Sequence, residues 1–137
     1  MGTSTMTSER FEMAASAEQV PLAAQRIARL GATAGLDAQA CFQLQVVVTE
    51  VLNNIVQHAL PGDSSAAVEI RCGVGNGGFE VTTMDHGLPM RFPPTREFPE
   101  ADAESSRGWP IVFSWVDHVD FSTRAGGNVL TLRKNLP

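Results

Sequence analysis

A carboxylate, a carboxamide and an imidazole follow one another at four-residue intervals near the middle of the chain. Glu50, Asn54 and His58 would each lie about 40° further round an α-helix than the one before, so they form one polar ridge. A carboxylate one turn before a carboxamide offers hard oxygens to a magnesium ion and a base to a nucleophile. The alternative is an ordinary solvated face, but residues 37–58 contain no Lys or Arg, whereas solvated faces usually mix both signs of charge.

The segment that carries this ridge has the apolar spacing of an amphipathic helix packed on a core. Its apolar residues recur at steps of three and four, and they are Leu44, Val47, Val48, Val51, Leu52, Ile55, Val56 and Ala59. Asp37 is predicted to cap the helix start, and Pro61-Gly62 is predicted to end it.

Two further segments contain residues suited to a nucleotide. Asp85 and Gly87 follow a predicted strand, and an aspartate at a strand end can accept a hydrogen bond from the exocyclic amine of adenine. The second segment precedes a predicted helix and contains Ser105, Ser106, Arg107 and Gly108. Backbone N–H groups at a helix start, together with an adjacent Arg, suit phosphate oxygens. Each motif alone is weak, so the order and spacing of all three carry the argument.

Taken together, these motifs resemble the histidine-kinase-like ATPases, the GHKL superfamily with the Bergerat fold. Residues 50–59 (EVLNNIVQHA) look like the N box of that family, residues 85–89 (DHGLP) like its first glycine box, and residues 106–112 (SRGWPIV) like its second. The resemblance covers residues 10–135 and is strongest to the small serine-kinase anti-sigma factors, whose first glycine box often reads Asp-X-Gly-X-Pro.

The resemblance implies ATP and Mg²⁺ as cofactors and a role for each candidate residue. Glu50 would be the general base toward a serine hydroxyl of a bound protein, and Asn54 would hold the Mg²⁺ that bridges the ATP phosphates. Asp85 would bind the adenine amino group, Gly87 would allow its close approach, and Thr131 would line the adenine pocket. The phosphate contacts would come from Ser105, Ser106, Arg107 and Gly108.

The family resemblance predicts an ATP-dependent serine-protein kinase and anti-sigma factor of a partner-switching pathway. Such a protein phosphorylates a serine on an anti-sigma-factor antagonist and, when free, binds a sigma factor or a similar effector; the resemblance also suggests a homodimer.

Two alternatives stay open. A nucleotide-sensitive anti-sigma module could sequester its partner without kinase activity. This reading is favoured by Ser105-Ser106 in the second glycine box and by Gly127-Asn128 where the third box is ordinarily Gly-Thr. The catalytic half of a histidine kinase, the other alternative, would have to act in trans on a phosphoacceptor histidine.

The remaining patterns predict an α+β fold. We expect a two-layer sandwich with helices on one face of a mainly antiparallel sheet, a disordered N-terminus at residues 1–8 and a single domain at residues 9–137. A capping box of Ser16 and Gln19 would start the first helix, and residues 88–106 would form a lid. The predicted strands are residues 10–14, 67–74, 79–84, 119–123 and 129–134. The predicted last helix is residues 109–116.

Composition limits the classes of binding partner and the cellular compartment that we expect for this protein. The formal net charge of −5 argues against a nucleic-acid partner, because phosphate binding needs a basic face. The chain shows no apolar run of membrane-spanning length and no signal peptide, so we expect a cytoplasmic protein without membrane association. Cys41 and Cys72 lack metal-site or disulfide spacing and are predicted to be free thiols.

Overall fold

The computed structural model describes residues 8–60, 65–89, 114–124 and 126–137, and within them the chain forms five strands and two long helices. The strands are Ser8–Ala14 (β1), Ala67–Gly75 (β2), Gly78–Asp85 (β3), His118–Arg124 (β4) and Gly127–Asn135 (β5). The helices are Val20–Ala34 (α1), which follows a short 3₁₀ turn at Ala17–Gln19, and Ala38–Asn54 (α2), which continues into a π-helical turn at Ile55–Ala59.

The strands form one antiparallel sheet in the order β1-β2-β3-β5-β4. Side chains alternate between its two faces. One face is buried under the helices and presents apolar residues of three strands, namely Val68, Ile70, Cys72, Phe79, Val81, Leu130 and Leu132. On the other face of these strands, Gly78 is the one buried residue, and the others are half-buried or exposed. The predicted α+β sandwich, with helices on one face of an antiparallel sheet, is therefore confirmed.

Helix α2 begins as its sequence predicts. The backbone N–H of Ala40 donates to Oδ1 of Asp37 at 2.8 Å, so this carboxylate satisfies one of the helix's unpaired donors. The apolar stripe of α2 lies against α1 and the sheet, and Leu44, Val47 and Leu52 are fully buried. The stripe thus fixes which face of the helix points to the core.

The end of this helix differs from a regular α-helix. Residues Ile55–Ala59 form a π-helical turn, closed by the N–H of Leu60, which donates to the carbonyl of Ile55 at 3.0 Å. A π turn contains more residues than an α turn, so the side chains within it are rotated out of line with the ridge of Glu50 and Asn54. His58 is accordingly exposed, while Asn54 and Ala59 are buried.

Several boundaries differ in detail from the sequence prediction. Strand β1 already begins at Ser8. Ser16 caps the 3₁₀ turn through the N–H of Glu18, at 3.2 Å, rather than through a capping box with Gln19. The predicted lid beyond residue 89 and most of the predicted last helix lie outside the described residues, although Ser114 and Trp115 are helical. No helix in the described part of the chain is long and apolar enough to cross a membrane.

Candidate functional site

Among the described residues, four polar side chains are buried in an otherwise apolar interior. They are Asn54, Thr83, Asp85 and Asn128, with exposed fractions of 4%, 2%, 3% and 3%. The last three lie on the helix-facing side of the neighbouring strands β3 and β5. Thr83 and Asp85 occupy every second position after the buried Val81 and so share its face, and Asn128 pairs directly with Asp85. Burying polar groups costs free energy unless they find partners, so this cluster needs a physical explanation.

Asp85 is the last residue of β3, and its carboxylate is fixed by two hydrogen bonds to one of its oxygens. Oδ1 accepts hydrogen bonds from the backbone N–H of Gly87, at 2.8 Å, and from Nδ2 of Asn128, at 2.9 Å. The other oxygen, Oδ2, takes part in none of the hydrogen bonds among the described residues. A carboxylate can accept about four hydrogen bonds, so this group retains capacity for a donor from a ligand.

The turn after Asp85 is attached to the end of the central helix. A Cβ at Gly87 would collide with the carbonyl oxygen of Ala59, which explains why this position needs glycine. The N–H of Leu88 donates to that same carbonyl at 2.8 Å. The predicted adenine-binding turn and the helix of Glu50 and Asn54 are thereby connected through Ala59.

Asn128 is a functional candidate that the sequence analysis left just outside the strand predicted at residues 129–134. The structure places it inside β5, opposite Asp85, with Nδ2 also donating to the carbonyl of Leu88 at 2.9 Å. The preceding residue, Gly127, is so close to Asp85 that a Cβ would collide with its carbonyl oxygen. Alternation backward from the buried Leu130 would have placed Asn128 on the same face.

Asn54 and Glu50 lie on α2 in different environments. Within the described structure, Nδ2 of Asn54 is buried and makes no hydrogen bond. Glu50 is half-buried and lines a pocket of about 300 Å³ on the outer side of the helix. The other described lining residues are Phe42, Gln45, Val46 and Thr49. The carboxylate of Glu50 can therefore meet a group that enters from solvent.

One further predicted site residue that the structure describes, Thr131, does not join this cluster. Thr131 pairs with Thr82, to which its hydroxyl is hydrogen-bonded at 3.1 Å, and both lie on the sheet face that turns away from the helices. The register thus corrects the expectation that Thr131 lines a pocket with Asp85, since the residue opposite Asp85 is Asn128. The predicted phosphate-binding residues, Ser105, Ser106, Arg107 and Gly108, lie outside the described residues.

The cysteines and histidines play no part in this cluster. Cys41 and Cys72 are free thiols, as predicted, and burial raises the pKa of Cys72 to about 12. His86 and His118 are exposed, and Nδ1 of His86 lies 2.8 Å from the carbonyl oxygen of Gly126. Among the described residues, no group of three or more His, Cys, Asp or Glu side chains could hold a metal ion.

Comparison with known proteins identifies a family. Residues 13–134 match the family model described as histidine kinase-like ATPase domain. A comparison with curated proteins returned no significant match.

Two solved structures share the fold. The structure of the RsbU and RsbW domains of Rv1364c from Mycobacterium tuberculosis has a TM-score of 0.70 and 16% identity, over 95% of this chain and 32% of that one. The histidine kinase domain of the blue-light-activated histidine kinase from Erythrobacter litoralis has a TM-score of 0.57 and 20% identity, over 88% of this chain and 60% of that one. The chain thus spans less than two thirds of either protein.

Proposed function

Because this chain belongs to the family of histidine kinase-like ATPases, we propose that it is a cytoplasmic, ATP-dependent serine-protein kinase and anti-sigma factor. Its substrate would be a serine on an anti-sigma-factor antagonist, and its second partner a sigma factor or similar effector. The fold shared with a structure that contains an RsbW domain supports this branch of the family. The observation that carries the proposal is the buried carboxylate of Asp85, held on one oxygen beside the end of helix α2.

Asp85 is the residue that would select adenine. Its Oδ1 already accepts hydrogen bonds from the N–H of Gly87 and from Nδ2 of Asn128. The amino group of the base would therefore donate a hydrogen bond to Oδ2. Hydrogen bonds to a charged acceptor are stronger than neutral ones. The absence of a side chain at Gly87, which lets the turn lie against Ala59, keeps this carboxylate at the junction of helix and sheet.

The polar atoms in this region fit a nucleotide with its magnesium ion. The buried Nδ2 of Asn54 and Oγ1 of Thr83 have no hydrogen-bond partner in the described structure, which is costly in the absence of a polar ligand. The carboxamide oxygen of Asn54 would be the protein ligand to Mg²⁺. This ion favours oxygen ligands and commonly takes only one or two from protein, with phosphates and water supplying the rest. Bound in this way, Mg²⁺ would neutralise charge on the phosphates.

Glu50 would act on the protein substrate. In phosphoryl transfer to serine, the hydroxyl oxygen forms a bond to the γ-phosphorus, the bond from that phosphorus to the ADP oxygen breaks, and the hydroxyl proton must be removed. Glu50, half-buried at the edge of a pocket of about 300 Å³, would accept that proton. The aromatic ring of Phe42, 61% exposed, and the side chain of Val46 line the same pocket and offer apolar contact to the segment around the serine.

The test uses purified protein, ATP, Mg²⁺ and an antagonist encoded by an adjoining gene, with phosphoserine as the readout. Glu50→Gln should lower phosphoserine formation by about 10²-fold or more, the usual contribution of a general base, while ADP affinity stays unchanged. Glu18→Gln is the matched control, because Glu18 is exposed near the start of α1.

Two results would separate the proposal from its alternatives. Wild-type protein that binds ATP and retains its partner, yet forms no phosphoserine, would identify a sequestering module without kinase activity. Phosphoserine formation that is equal in Glu50→Gln and wild type would show that Glu50 is not the base.

A further inference from the structure

We propose that Lys134 is a positioning residue that holds the exposed ring of Phe42 in place to bind the protein substrate beside Glu50. The inference rests on the proposed function and extends it to a residue outside the three sequence motifs. The observation that carries it is a pair of hydrogen bonds by which Lys134 joins helix α2 to residues 114–117.

Lys134 bridges two elements from β5. It is the only lysine in the chain, and it lies on the helix-facing side of the strand, two positions after the buried Leu132. Nζ donates to Oε1 of Gln43 on α2 at 2.6 Å and to the backbone carbonyl of Trp115 at 2.7 Å. Trp115 is the last helical residue before Val116, and a lysine at such a position can satisfy a carbonyl that lacks a partner inside its helix. Both hydrogen bonds have a charged donor, which makes them stronger than neutral ones.

The segment that contains Trp115 is also fixed to β5 through its backbone. The N–H of Asp117 donates to the carbonyl of Arg133 at 2.8 Å, and Oδ2 of Asp117 accepts from the N–H of Asn135 at 2.7 Å. Val116, between Trp115 and Asp117, is buried. Residues 115–117 therefore form a fixed base, from which Lys134 reaches across to α2.

Phe42 adjoins both partners of Lys134. Its ring contacts the ring of Trp115, with the centroids 6.2 Å apart and the planes inclined by 50°, and Gln43 is its neighbour along α2. Phe42 is nevertheless largely exposed and lines the pocket that contains Glu50. A side chain that is already immobilised loses little conformational freedom when a partner binds, so this preorganisation favours affinity. By fixing Gln43 and Trp115, Lys134 keeps the Phe42 ring in one position while its outer face stays open to a partner.

The spacing along α2 indicates which substrate segment would fit. Phe42 lies eight residues before Glu50, which corresponds to about 12 Å along an α-helix. An extended segment spans this distance with roughly four residues. A substrate whose serine lies at Glu50 would therefore place on Phe42 an apolar side chain roughly four residues away from that serine.

The test measures the dissociation constant of the antagonist with ADP and Mg²⁺ present, the kcat of phosphoserine formation and the affinity for ADP. The variants are Lys134→Met, which keeps an apolar stem and removes the donors, and Lys134→Arg, which keeps the charge in a rigid planar group. Arg133→Met is the matched control, because it removes one positive charge from the neighbouring position, on the outer face of the sheet.

We expect Lys134→Met to weaken antagonist binding by about 3- to 10-fold, the effect of freeing one or two side chains before binding. Lys134→Arg should weaken it by less, and Arg133→Met should leave it unchanged. The kcat and the ADP affinity should stay at their wild-type values in all three variants, whereas a general loosening of the fold would lower them together with antagonist binding.

A double-mutant cycle tests whether Lys134 acts through Phe42. Phe42→Ala alone should weaken antagonist binding, and the addition of Lys134→Met to that variant should cause no further loss. Losses that add in the double variant would show that the two residues act independently, and would overturn the inference.

An unchanged antagonist affinity in Lys134→Met would also overturn the inference and leave the proposed function standing. Wild-type protein that binds ATP and the antagonist but forms no phosphoserine would overturn the proposed kinase activity, while the affinities of the variants would still decide the inference. Wild-type protein that does not bind the antagonist would overturn both.

One measurement on the wild type does not depend on how the variants fold. Because the chain has a single lysine, isotope labelling of lysine gives one side-chain ammonium signal in an NMR spectrum. Its protons should exchange with solvent much more slowly than those of free lysine. Exchange as fast as in free lysine would show that the two hydrogen bonds of Lys134 are not maintained, and would overturn the inference.

Discussion

Replacing Asp85 by asparagine changes one oxygen of the buried carboxylate into an amide nitrogen at nearly constant shape. The carboxamide oxygen can still accept from the N–H of Gly87 and from Asn128, which both bind Oδ1 in the wild type. The new NH₂ group takes the position of Oδ2. It would therefore point a donor at the amino group of adenine, where the wild type presents an acceptor.

The magnitude follows from the loss of one charge-assisted hydrogen bond. Such a bond contributes roughly 1.5–3 kcal/mol, which corresponds to a decrease in ADP affinity of about 10- to 150-fold. GDP should lose less or gain, because its carbonyl oxygen accepts from the new amide. The free energy of unfolding without nucleotide should change little, since both internal hydrogen bonds to Oδ1 survive and no charge remains to be buried.

Isothermal titration with ADP and GDP in the presence of Mg²⁺ measures both affinities, and urea unfolding measures stability. Asp120→Asn is the control, because Asp120 is exposed and lies opposite Thr131 on the outer face of the sheet. An Asp85→Asn protein that is as stable as the wild type and binds ADP with the same affinity would refute the role given to this carboxylate. A parallel loss of both nucleotides would refute the argument from donor and acceptor positions.

Two predictions concern groups that contact no strong partner in the described structure. Thr83→Val removes a buried hydroxyl without a hydrogen-bond partner, so the free energy of unfolding without nucleotide should rise by about 1–3 kcal/mol; a decrease in urea unfolding would contradict this. Burial raises the pKa of Cys72 from 9.0 to about 12, so the folded state keeps the proton longer than the unfolded state. Its stabilisation is complete below pH 9 and falls as the pH rises from 9 toward 12. Urea unfolding over this alkaline range should show a shallower loss of stability in Cys72→Ala than in the wild type.

The central helix was predictable because its determinants are local. The cap of Asp37, the buried stripe and the break before Pro61 all depend on residues within a few turns of one another. The strand at the edge of the sheet and the two hairpins were predictable for the same reason, since alternation and the Asn76-Gly77 turn are short-range signals; Asn76 takes a φ of 54° there. Asp85 and Gly87 were then identified by type and spacing at the end of a predicted strand.

The environment of Asp85 depended on pairing between distant strands. Asp85 and Asn128 are 43 residues apart in the chain, and the register of β3 on β5 brings them together. The sequence analysis began the last strand at residue 129, whereas β5 begins at Gly127, so the prediction started this strand two residues too late. Thr131 was assigned to the wrong face, although the apolar Leu130 and Leu132 on either side indicate that it points outward.

The π-helical turn connects the proposed base-binding residue, Asp85, with the proposed catalytic residue, Glu50. Asn54 is the last residue of α2, and the π turn carries the backbone on to Ala59. A helix end leaves carbonyls without partners inside the helix, and the carbonyl of Ala59 receives the N–H of Leu88. The turn that begins at Asp85 therefore caps the helix that carries Glu50. A ligand that contacts Asp85 would act on a backbone segment that is hydrogen-bonded directly to that helix. This connection does not require the apolar core between the helices and the sheet to move.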